Sequence, residues 1–134
     1  MMHAQQMIRS HPIAKGKVSD GLVRCIEECY ACAQACTACA DACLSERAVD
    51  ELRQCIRLNL DCADVCLATG SLASRQTGPG QSALRQMLEA CAAACEACGD
   101  ECDRHAERHE HCRVCAEACR SCGQACRHAS RNIH

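Results

Sequence analysis

The sequence predicts an all-α protein: an antiparallel, up-down-up-down four-helix bundle with a cysteine-lined core. Three observations carry that reading. Cysteines recur at alternating steps of three and four, the spacing at which side chains stand above one another on one helical face. Four such runs are joined by short connections, which favour antiparallel neighbours. Phe and Trp are absent and Tyr occurs once in the 134 residues, so Cys, Ala, Leu, Ile and Val must fill the interior. A chain of this length suits one domain with a real core.

Residues 1–17 form an N-terminal segment, and residues 18–134 the bundle, with helices at about 18–44, 50–74, 81–104 and 107–131. In the first segment His3, Met7 and His11 recur at steps of four before Pro12, which permits a short helix. The expectation is nevertheless a loose polar lead-in, because termini are often poorly tied down. Asp20 is the expected N-cap of the first long helix. Leu22 opens its buried face, followed by Cys25, Cys29, Cys32, Cys36, Cys39 and Cys43 at steps of 4, 3, 4, 3 and 4. The second helix turns Leu52, Cys55, Asn59, Cys62, Cys66 and Thr69 inward, so Asn59 occupies a slot where a further cysteine would fall.

Thr77-Gly78-Pro79-Gly80 is the strongest break in the chain, with Pro79 suited to the start of the next helix. The third helix carries Leu84, Leu88, Cys91, Cys95, Cys98 and Cys102 on one face, and continuing the seam by three and four lands on His105 and His109. The fourth carries Cys112, Cys115, Cys119, Cys122 and Cys126. The buried stripe that apolar side chains normally supply is here made of sulfur.

Composition excludes several function classes. Lys and Arg number 15 against 17 Asp and Glu, a formal charge of −2 with no basic block, so nucleic acid is not an expected partner. No apolar run approaches the ~18 residues that a membrane span needs. Met1 to Gly16 has no continuous apolar stretch of the secretory kind. The expected location is the cytoplasm, where thiols stay reduced, and spacings of three and four on one helix suit a shared metal better than disulfides. No nucleophile–base pair or phosphate loop marks an enzyme.

Eighteen cysteines on one interior are best matched to Cu(I). A reduced cysteine packs as a small hydrophobe, so a metal-free bundle can fold with neutral thiols inside. As ligands the cysteines become thiolates, and each uncompensated buried anion costs several kcal/mol. One monovalent soft cation per thiolate keeps the core near neutral, and Cu(I) prefers thiolate. Zinc takes four ligands, so its all-thiolate sites would each carry a charge of −2 in a narrow core. The cysteine run of bacterial ferredoxins is absent. A general thiolate sink for Zn(II) or Cd(II), and a redox protein using Cys-x-x-Cys pairs such as Cys29/Cys32 or Cys112/Cys115, are the rival readings.

From Cys25 to Cys126 these seams resemble the cysteine-rich four-helix-bundle copper storage proteins, specifically the cytosolic branch without an export signal. The resemblance implies that all eighteen cysteines are Cu(I) ligands, and charge neutrality sets the expected load at about one ion per cysteine. The resemblance also implies a homotetramer and an ion entrance at one end of the bundle. In up-down-up-down order, one end gathers Cys43, Cys55, Cys102 and Cys112 with His105, His109 and His111, while Leu22, Leu84, Leu88 and Met87 close the other. His105 and His109 are therefore the candidate receivers of Cu(I). His111 lies off the seam and is a possible ligand only.

Asn59 is either a weak oxygen ligand beside Cys55 and Cys62, or a buried amide satisfied by backbone or water. Met87 reads as core filler. Tyr30 reads as surface or interface. A second apolar line on the second helix, Ile56, Leu60, Ala63 and Leu67 beside Leu58, Val65 and Leu72, points to self-association. The remaining partners expected are copper-donating or copper-accepting proteins, or small thiols.

Overall fold

The computed structural model describes residues 3–77 and 81–133. Among these residues the chain is helical throughout and contains no strand. A short helix α1 (Ala4–Ser10) precedes α2 (Asp20–Leu44), a 3-10 turn (Val49–Leu52), α3 (Arg53–Ser74), α4 (Ser82–His105) and α5 (Glu110–Arg131).

The first long helix begins one residue away from the expected register. Ser19, not Asp20, is the N-cap of α2: its hydroxyl accepts from the Leu22 amide at 3.3 Å. Asp20 instead sits in the first turn, where its carboxylate complements the helix dipole. Helix α5 starts at Glu110 rather than near 107, because His109 is extended (φ −137°, ψ 111°) and holds the preceding turn out of the helix. His128 and Arg131 lie in the last turn of α5, where positive charge is favoured. The predicted break at Thr77-Gly78-Pro79-Gly80, with Pro79 opening the next helix, falls beyond Thr77 outside the described residues.

The N-terminal segment is not a loose lead-in. Helix α1 buries Ala4 and Ile8 against Val23, Ile26 and Ala73 on the outer side of α2 and α3. The stripe of His3, Met7 and His11 is not its docking face; Met7 is among the most exposed apolar side chains. The burying register runs one residue later, through Ala4 and Ile8.

The four long helices pack as a ring: α2 meets α3 and α5, and α4 meets α3 and α5. Pairs of touching residues fix the register. Along α2 and α5 they are Cys25/Cys126, Cys32/Cys119 and Cys39/Cys112. Along α3 and α4 they are Cys55/Cys102, Cys62/Cys95 and Cys66/Cys91. In each series the residue numbers rise on one helix as they fall on the other. Small residues let the helices come close. Gly70 of α3 faces the Tyr30 ring, which a Cβ there would approach to 3.0 Å, and the Tyr30 hydroxyl meets Ser71 Oγ at 3.3 Å.

At one end of the ring Leu88 is fully buried, with Leu84 partly buried beside it. Leu52 is likewise fully buried, near the other end. Ala63, counted in the second apolar line of α3, is buried, whereas Leu60 and Leu67 remain 47% and 46% exposed. Because Leu88 closes the column below Cys91, Leu88→Ala should destabilise the reduced, metal-free protein by about 2–5 kcal/mol. Urea denaturation followed by circular dichroism measures this.

Candidate metal centre

All eighteen cysteines are buried, and all are free thiols. Seventeen of them have a sulfur neighbour within 4.0 Å, and the contacts form a column along the axis of the ring. These are packing and weak hydrogen-bond distances, about twice a disulfide bond length. The column arises directly from the seams. Each helix contributes a sulfur every three or four residues, and the opposed registers bring the sulfurs of neighbouring helices level.

Within the column the sulfurs fall into groups of four. Cys29, Cys91, Cys122 and Cys126 have ligand atoms all within 4.8 Å of one another, as do Cys32, Cys66, Cys95 and Cys122. Cys32, Cys36, Cys62 and Cys119 form a third group, and Cys36, Cys98, Cys115 and Cys119 a fourth. Adjacent groups share members, so the sulfurs do not divide into separate closed tetrahedra. Such overlap suits ions that need two or three ligands and can share them.

Asn59 lies in the column and is fully buried. Its Oδ1 accepts from Cys98 at 3.0 Å, Cys115 at 3.2 Å and Cys102 at 3.5 Å. Its Nδ2 donates to Cys55 Sγ at 3.7 Å. The amide finds partners among the thiols, and its oxygen faces cysteines of α4 and α5. One acceptor oxygen thus takes up three S–H groups that would otherwise have only sulfur for company.

Three of the seven histidines, His105, His109 and His111, gather at the end of the column formed by the α2–α3 and α4–α5 connections. His105, on the seam as predicted, is buried; its Nε2 meets Glu101 Oε2 at 2.9 Å and its Nδ1 has no hydrogen-bond partner among the described residues. His109 Nδ1 lies 3.0 Å from Glu46 Oε2, on the rim. His111 comes nearest to the sulfurs. Its Nδ1 is 3.3 Å from Cys39 Sγ and 3.7 Å from Cys112 Sγ, and it completes a group with Cys39, Cys43 and Cys112. Seam counting passes over His111 because Cys112 takes the next inward slot. Its signal is the step of four to Cys115, which puts both on one side of α5.

Electrostatics at this end separate thiols from carboxylate. Burial pushes the Cys43 thiol up to about 11, and pushes Cys112 still higher with help from neighbouring sulfur charge. Both are neutral at pH 7 in the metal-free protein. Glu46 is held below the usual carboxylate range, first by its hydrogen bond with His111, and stays ionised.

If Asn59 is the hydrogen-bond hub of the thiols around it, Asn59→Ala should cost the reduced, metal-free protein about 1–3 kcal/mol. Chemical denaturation under anaerobic conditions measures it; an unchanged midpoint would show that the thiols find equivalent partners among themselves.

Comparison with known proteins agrees with this geometry. The sequence model of the copper storage protein family matches residues 18–131. Curated proteins yield no match. Among solved structures, the copper storage protein Ccsp of Streptomyces lividans, loaded with 10 copper equivalents, is 56% identical and superposes with a TM-score of 0.93 over 97% of this chain and 99% of that one. A five-copper structure of the cytosolic copper storage protein from the same organism is 61% identical, with a TM-score of 0.84 over 86% of this chain and 96% of that one. The Cu(I)-bound copper storage protein BsCsp3 is 38% identical, with a TM-score of 0.70 over 78% and 92%. With a match that spans the whole thiol column, the chain belongs to the copper storage protein family.

Proposed function

We propose that this protein is a cytoplasmic store for Cu(I), holding about one ion per cysteine along the axis of an antiparallel, up-down-up-down four-helix bundle. The observation that carries the reading is the column of eighteen free, buried thiols with overlapping four-sulfur groups. The opposed residue numbers of neighbouring helices support the bundle topology. Residues 18–134 make the storing unit, and residues 1–17 an N-terminal segment whose helix α1 docks on its side. Storage, not catalysis, is the role.

All the cysteines act as ligands. Incoming Cu(I) displaces the thiol proton, and each thiolate bridges two ions while each ion takes two sulfurs. That sharing leaves the filled core neutral, which a closed zinc tetrathiolate would not. As Cys98, Cys102 and Cys115 lose the protons they donate to Asn59, the amide oxygen is freed to face metal as a weak ligand. His105 and His109 receive ions at the histidine-bearing end, opposite Leu88. The orphaned, buried Nδ1 of His105 supports this, since it is a ring nitrogen without a partner beside the column.

The exposed Leu60 and Leu67, beside the partly buried Ile56, support self-association through α3 into a homotetramer. Ions would arrive from, and leave to, copper-handling proteins or small thiols that reach the histidine-bearing end.

An anaerobic Cu(I) titration of reduced protein against a competing chelator tests the reading. Tight uptake of about one ion per cysteine is expected, with helicity present from the start and about one proton released per ion. Saturation near four ions, with zinc competing effectively, would instead mark a general thiolate sink. Replacing His105 and His109 together should slow uptake and leave capacity unchanged. Cysteine pairs removed one after another should lower capacity in steps; loss of all function with a single pair would point to redox chemistry.

A further inference from the structure

We propose that Glu46 is a positioning residue for copper capture: from the α2–α3 connection it holds Nε2 of His111, so that the ring presents Nδ1 to Cys39 and Cys112. The proposal rests on the storage reading above, and concerns a residue outside the thiol column.

The geometry leaves little freedom. Glu46 Oε2 is 2.8 Å from His111 Nε2 and 3.0 Å from His109 Nδ1. An ionised carboxylate only accepts hydrogen bonds, so both of these ring nitrogens must be the protonated ones. A neutral His111 is then the Nε2–H tautomer, and its Nδ1 lone pair points at sulfur, 3.3 Å from Cys39 and 3.7 Å from Cys112. In the metal-free protein a thiol proton covers that lone pair. When Cu(I) replaces the proton, nitrogen and sulfur are already placed around it and the ring need not turn.

His109 is fixed by the same oxygen in the complementary sense, with Nδ1–H on Glu46 and Nε2 left as its acceptor. The two rings stack at 5.5 Å between centroids, with 28° between planes. One carboxylate oxygen thus sets the tautomer of two histidines at the start of α5. A carboxylate on the far nitrogen of a ligating imidazole also raises its basicity, and loss of such a partner typically weakens metal binding by 10–100-fold. Glu46 is itself partly exposed and belongs to none of the four-sulfur groups, so its removal leaves the inner column alone.

Two measurements test this on the full-length reduced protein. The first needs no copper. In nitrogen-15 histidine spectra, His111 should show the Nε2–H tautomer with a slowly exchanging ring proton, and that proton signal should vanish in Glu46→Ala. A persisting signal, or an Nδ1–H tautomer in the unaltered protein, overturns the proposal.

The second is anaerobic stopped-flow uptake of Cu(I) from a chelator, carried to full loading. Glu46→Ala should slow the first phase by roughly tenfold at unchanged final capacity. Glu46→Gln keeps an acceptor oxygen and should recover most of the rate. In a His111→Ala background, Glu46→Ala should slow uptake less than it does in the unaltered protein, the remainder acting through His109. An unaltered rate, or equal slowing with and without His111, overturns the role of Glu46 while full capacity leaves the store intact. Low capacity in the unaltered protein would instead defeat the storage reading, with the tautomer measurement still deciding what Glu46 does to His111.

Discussion

Contact between buried sulfurs holds this interior together, and everything else in the structure is arranged to permit it. Sulfur is small and polarisable, and its S–H group is a weak donor that tolerates an apolar setting. A core of sulfur therefore folds as a hydrophobic core does, yet each element of the packing is a latent ligand. Helix spacing follows from the same constraint. With no Phe or Trp to accommodate, the helices approach closely, and glycine at position 70 admits the one aromatic ring against α3. Of the largest fully buried side chains, Leu88 and Leu52 lie toward the ends, and Ile26 lies outside the column beneath α1.

The column is also graded in polarity. From the Leu88 end to Asn59 its contacts are sulfur on sulfur. At Asn59 an amide oxygen collects three S–H groups, and beyond it come histidines backed by Glu46 and Glu101. Hydrogen-bonding capacity thus increases toward the end that carries His105, His109 and His111. An ion moving inward trades nitrogen and oxygen neighbours for sulfur, the ligand that Cu(I) favours.

Much of this was legible in the sequence because one rule, a sulfur every three or four residues, was applied four times. The rule located each inward cysteine, put Asn59 among them, and carried His105 onto the same face. It failed where local spacing does not decide the outcome. The capping role of Ser19 competes with that of Asp20, and the two are adjacent residues of similar propensity. In α1, the stripe of His3, Met7 and His11 has the better-looking period, but Ala4 and Ile8 win because Val23, Ile26 and Ala73 offer them a surface. His111 shares its side of α5 with Cys115 and was hidden by the stronger claim of Cys112. Glu46 carries no sequence signal: its partners lie at the start of α5, some sixty residues away, and only the ring of helices brings the two together.

Tyr30 takes on a different significance in this light. It is the sole aromatic residue of the Phe, Trp and Tyr class, and it lies off the thiol column, between Gly70 and Ser71 on the outer side of α2 and α3. Its ultraviolet emission therefore reports on the outer surface near Leu67 rather than on the core. Charge-transfer bands from a metal–thiolate interior would appear against a nearly transparent protein, so the filling of the column and any change at its flank can be followed as two separate optical signals in one sample.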